Sequence, residues 1–190
     1  MRVAAIALSL GIAMTAVGCD KPKEAGAAPE AAAPATPAAP AFSHALTVDA
    51  SGYFMPVTAP SFGKWTLRDI AVGQATDFAA WEQGNRSSTY APIMIEFQDE
   101  NSPMVQNELG EVRSGQARVL PTTYFVTDTA VSFTGTSPEL GEVKFDGVLN
   151  ADALATARRN LGDEGAVLTG SLTANGTTVG MVSLRWWAGD

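Results

Sequence analysis

His44 is the only histidine and Cys19 the only cysteine in the 190-residue chain, and those counts restrict its chemistry. A triad hydrolase needs an imidazole between nucleophile and carboxylate, so any such site must use His44. That residue lies just past a low-complexity stretch, a poor platform for aiming a base. Zinc centres built from His and Cys need more of these ligands than the chain contains. A single cysteine cannot close an intramolecular disulfide. Carboxylates are plentiful, with 20 Asp and Glu. Asp99-Glu100-Asn101 and Asp163-Glu164 are dense enough to interest a hard cation. Neither has the alternating ligand spacing of a calcium loop, so both read as solvated loop charge. Two acids ~5 to 9.5 Å apart run glycoside hydrolysis, but spacing along a chain does not place such a pair. The sequence therefore assigns no catalytic, metal-binding or cofactor-binding residue.

Two further clusters invite a role. Arg158-Arg159-Asn160-Leu161-Gly162-Asp163-Glu164-Gly165 is the densest polar segment. Two arginines in a helix's last turn complement its negative end, and the following acids are placed to pair with them. Trp186-Trp187 puts one indole on each face of a strand; the outward one is expected to be covered by the second helix, the alternative being an exposed aromatic contact.

Cys19 gains meaning from what precedes it. Arg2 opens the chain, and an apolar run from Val3 to Val17 is broken only by Ser9, Gly11 and Thr15. This is the layout of an export signal: a charged start, a short apolar core, then small residues. The run is shorter than the ~20 apolar residues a permanent transmembrane helix needs. Ala16-Val17-Gly18-Cys19 resembles the bacterial lipobox. The resemblance implies cleavage after Gly18 and lipid on the Cys19 thiol and new amine. Asp20 resembles the signal that retains such lipoproteins in the inner membrane. The expectation is a lipid-anchored protein on the periplasmic face, with residues 1–18 as signal peptide; the outer membrane is the alternative address.

Residues 19–41 are almost entirely Ala and Pro. They offer nothing to bury, and prolines at 22, 29, 34, 37 and 40 block a continuous helix. In polyproline geometry, ~3.1 Å per residue, this tether reaches up to about 70 Å. The formal net charge is -8, and removal of Arg2 with the signal takes it to -9. No basic patch appears, which argues against nucleic acid and against electrostatic docking on anionic lipid. Membrane attachment is left to the acyl chains.

Residues 42–190 read as one β-rich domain. Period-two patterning or turn punctuation marks strands at 42–48, 53–57, 64–72, 91–98, 116–127, 130–137, 141–149, 167–173 and 177–187. In the fourth of these, Ile93, Ile95 and Phe97 are expected inward and Met94, Glu96 and Gln98 outward. Short helices are expected over 77–83, capped by Thr76, and over 150–161, stopped by Gly162. Phe78 and Trp81 would dock the first on the sheet. Asn175-Gly176 is the strongest hairpin signal, because a type I′ turn needs positive φ twice. The fold class is therefore all-β: a single antiparallel sandwich or barrel with two short helices. Glu108-Leu109-Gly110-Glu111-Val112-Arg113 recurs as Glu139-Leu140-Gly141-Glu142-Val143-Lys144, read as one turn-into-strand solution used twice.

The segment Thr169-Gly170-Ser171-Leu172-Thr173-Ala174-Asn175-Gly176-Thr177-Thr178 resembles the hairpin of YceI-type periplasmic proteins. Val131-Ser132-Phe133-Thr134 is similar to a preceding strand of that family. The resemblance implies an antiparallel, lipocalin-like barrel holding a long isoprenoid chain. Three functions follow as expectations. The first is a binding or interaction module of the cell envelope, suggested by the tether and the missing catalytic motifs. The second is a carrier of an apolar ligand, and the third a carboxylate-based hydrolase.

Overall fold

A computed structural model describes residues 41–108 and 110–189. The expected signal peptide, Cys19 and all of the tether before Ala41 lie outside the described residues. No helix among those described is long and apolar enough to cross a membrane.

The domain is mostly β with two helices. In chain order the elements are β1 (Phe42–Ala45), β2 (Gly52–Pro56), β3 (Ser61–Phe62), β4 (Trp65–Val72), α1 (Ala75–Glu82), β5 (Ile93–Asp99), β6 (Met104–Asn107) and β7 (Gly110–Arg113). There follow β8 (Gln116–Val119), β9 (Pro121–Thr127), β10 (Ala130–Ser137), β11 (Gly141–Leu149), α2 (Ala151–Arg159), β12 (Leu168–Ala174) and β13 (Thr177–Trp187). Ten strands form one curled sheet in the order β1-β9-β10-β11-β12-β13-β2-β4-β5-β8, with β3 on β4 and β6–β7 as a separate ribbon. All pairs are antiparallel except one: β1 lies parallel to β9, Phe42 beside Tyr124 and Ala45 beside Thr127. The purely antiparallel sheet expected from the sequence is corrected at this pair, because β1 joins the sheet from a distant part of the chain rather than through a hairpin.

The expected strand over 116–127 is two. Leu120 separates β8, which pairs with β5, from β9, which pairs with β10. Pro121 lacks the N–H an unbroken ladder would use here. Opposite the break, β10 shifts register at Thr134/Gly135. A Cβ on Gly135 would lie 2.5 Å from the Leu120 carbonyl, so only glycine lets the strands approach there.

The inner face carries the core. Phe54, Phe62, Phe97, Phe145, Leu140 and Ile70 are fully buried within it. Asn175 and Gly176 both have positive φ, at 49° and 69°, which is the turn chemistry their sequence demanded. Gly141 opens β11 and Gly110 opens β7, so both copies of the internal echo do turn into strands.

Both helices stand near their expected places. α1 starts two residues earlier than expected and is capped at Gln74, not Thr76. The Asp77 carboxylate reaches back to accept the Gln74 N–H at 2.8 Å, which fixes the start. Phe78 and Trp81 are buried as expected, Phe78 against Tyr124 and stacked on His44. α2 starts after Asn150, whose side chain accepts the Ala153 N–H at 2.9 Å, and ends at Arg159, before the Leu161 expected.

Candidate functional site

A groove of about 640 Å³ lies on the outer face of β2, β4 and β5. Strand alternation alone predicts a solvated face here. Met94 and Glu96, expected outward and exposed, are instead 7 % and 8 % accessible. They do point away from the core. Tyr90, before β5, and Asn107 and Val112 of the β6–β7 ribbon wall the groove they line.

The groove's polar floor is an ordered ion network. Glu96 accepts from Arg68 Nη1 at 3.0 Å and from Arg118 Nε at 2.6 Å, so one carboxylate bridges two guanidinium groups. Arg118 Nη1 donates to the Thr89 carbonyl at 2.9 Å, tying β8 to the segment before β5. Arg68 Nε lies 3.1 Å from Asp69 Oδ2. Asp69 is buried, and its Oδ1 has no partner among the described residues. Burial raises the Asp69 pKa to about 6; nearby Glu96 adds to the rise and Arg68 opposes it. Asp69 and Glu96 are register partners on β4 and β5. Both are held by Arg68, which makes them a structural pair of anions rather than an acid and base facing an open cleft.

Aromatic rings form the other wall. Trp186 is the penultimate residue of β13, and its indole N–H donates to the Ser51 carbonyl at 2.9 Å. The Arg158 guanidinium lies over this ring, 4.9 Å from its centroid. Tyr53 packs against Trp187, ring centroids 5.6 Å apart, and these rings are 37 % and 38 % accessible. Tyr90 is more open at 45 %. Its hydroxyl donates to Asp77 at 3.3 Å, and burial, with Asp77 next, raises its pKa. The indole that α2 covers is Trp186, through Arg158; the outward Trp187 stays half exposed, against expectation. A second hollow of about 270 Å³ continues past Trp186 and Trp187 to Met55 and Leu161.

The remaining sequence candidates fall elsewhere. Arg158 pairs with Asp49 and donates to the Ser51 carbonyl, not to the acids that follow it. Ser51 hydrogen bonds, more than Arg158, hold Asp49 below the usual carboxylate range. Glu164 instead meets Arg185 at 2.7 Å, and Asp163 accepts the Gly165 N–H. Asp99 accepts the Asn101 N–H and meets Lys64 at 3.2 Å; the backbone bond comes first in lowering its pKa.

His44 has better partners than its position suggested. Its Nδ1 is 2.9 Å from Glu82 Oε1, which also accepts the Tyr124 hydroxyl at 3.1 Å. Burial, with Glu82 next, raises the Tyr124 pKa. This trio joins β1, α1 and β9. None of the three lines the groove beside Glu96, and the trio reads as a fastening.

Comparison with protein-family models, characterised proteins and solved structures gives no significant match. The groove's chemistry must therefore carry the functional argument.

Proposed function

We propose that this protein is a lipid-anchored binding module of the cell envelope, displayed on the Ala/Pro tether and using the groove beside Glu96 as its recognition site. The carrying observation is the groove itself: preformed, half apolar and half polar, its charged groups already held in place. Cys19 supplies the anchor and residues 19–41 the reach.

In the same reading the curled sheet works as a closed barrel, antiparallel except where β1 lies on β9, rather than a sandwich. Its support is the passage of β8, one edge of the sheet, directly through Leu120 into β9, the strand next to the opposite edge β1. Phenylalanines and leucines fill the inner face, so ligand binding is assigned outside the barrel and not to an apolar lumen.

Photo-crosslinking in the native host tests the groove. A benzophenone side chain replacing Tyr90 should give a discrete adduct, and one replacing Val148, exposed on β11 and outside the groove's lining, should not. Equal labelling at both positions would remove the groove from the proposal. Native mass spectrometry of the protein from its host tests the lumen: a reproducible lipid-sized adduct would favour the carrier instead.

A further inference from the structure

Resting on that reading, we infer that the groove, together with the hollow that shares Trp186 with it, takes a flat, β-1,4-linked oligosaccharide, stacked on Tyr53 and Tyr90 in the groove and on Trp187 in the hollow, and hydrogen-bonded by Arg68 and Arg118. The inference starts from charge. Three arginines reach the groove, yet each is matched by an acid: Arg68 and Arg118 by Glu96 and Asp69, Arg158 by Asp49. A multiply charged anion would have to compete with Glu96 for guanidinium groups already 3.0 and 2.6 Å from it. A purely apolar ligand would strand the same ions against hydrocarbon without compensation. What suits a neutralised but donor-rich surface is a ligand with many hydroxyls and little charge.

The unused valences agree. Arg68 Nη2, Arg118 Nη2, the Gln116 amide and the Tyr53 hydroxyl make no hydrogen bond to any described residue, and all four residues line the groove. Glu96 holds the two guanidinium planes in place, so little side-chain freedom is lost when a ligand uses the remaining N–H groups. The exposed rings supply the second half. Tyr53 and Trp187 stand together on the outer face of paired strands, Tyr53 opposite Trp187 in register. Their faces match the C–H faces of pyranose rings. The hollow past Trp187 extends this surface beyond one sugar, and a β-1,4 chain is the flat ribbon that lies along a sheet face.

The test titrates the full chain with chitotetraose and with cellotetraose while following tryptophan fluorescence, which Trp186 and Trp187 make sensitive to the site. At least one should bind saturably. Tyr53→Ala should weaken it about tenfold or more, and Arg118→Gln by a similar factor, each close to the ~1.4 kcal/mol of a lost stacking or charged contact. Tyr53→Phe should retain most of the affinity, since it keeps the ring and separates lost stacking from misfolding. Val148→Ala should change nothing. Absence of binding by both probes, or binding unaffected by Tyr53→Ala and Arg118→Gln, overturns the saccharide. If a crosslinked adduct at the Tyr90 position persists in that case, the groove stands and its ligand belongs to another class; if it is missing too, the groove reading falls with it.

Discussion

A Cβ atom on Gly52 would sit 2.4 Å from the indole nitrogen of Trp186 and 2.8 Å from the Trp187 carbonyl. Gly52 also has φ of 135°, where side chains are strained. The start of β2 and the end of β13 are therefore pressed together at the point where the groove's aromatic wall begins.

Gly52→Ala should accordingly destabilise the domain by about 2 to 4 kcal/mol, summing backbone strain and displacement of the Trp186 ring. Urea unfolding would measure it. A loss below about 0.5 kcal/mol would mean that Trp186 moves freely and that the wall is not rigid.

Asp69 makes stability depend on pH in an unusual direction. Its folded pKa, about 6, lies above the unfolded 3.8, so the folded state binds more protons between those values. Its contribution is therefore lost as pH rises from about 4 to 6, by roughly 2 to 3 kcal/mol at the upper limit. Asp49, Asp99, Asp128 and Glu139, all lowered, act oppositely and lose their contribution as pH falls. The difference between wild type and Asp69→Asn isolates the effect. The variant should gain stability relative to wild type as pH climbs from 4 to 7, since Asn still accepts from Arg68. A pH-independent difference in denaturation midpoints would refute the buried ionisation.

Asn150→Ala should cost about 1 kcal/mol, because the Ala153 N–H loses its acceptor at the start of α2. Helix loss would show as a smaller far-ultraviolet signal at 222 nm. The same change to Thr76, which caps nothing, should be nearly silent.

Cys19→Ala should release the protein from membranes into the soluble envelope fraction, with labelled palmitate no longer incorporated. Full partition of the variant with membranes would defeat the lipid anchor.

The sequence was most readable where chemistry is local. Asn175-Gly176 needed positive φ, and the strands around it are where the pattern placed them. It was least readable where distant segments cover a face: Glu96 and Met94 alternate like solvated residues, and nothing nearby announces that Arg118, Tyr90 and the β6–β7 ribbon enclose them. Of that ribbon only the turn into β7 left a signal, in the repeat that contains Gly110; Met104–Asn107 is exposed throughout and carries no alternating burial. β1 was expected as a strand, but its parallel place beside β9 depends on contacts across some eighty residues. Thr76 is the better capping residue by type, yet Asp77 and Gln74 set the boundary two residues earlier through a side-chain contact. Arg158 found Asp49 rather than nearer acids because α2 packs on β13, whose pairing with β2 brings the Asp49–Ser51 segment within reach.

The pairing of β13 with β2 brings Trp187 beside Tyr53, across most of the length of the domain. No amino-terminal portion can complete the sheet alone, so a nascent chain lacks its final fold until β13 has left the ribosome. Such a chain stays incompletely folded late into synthesis, the state that the proposed export would need. The same long-range closure also makes refolding slow compared with helical domains of equal size.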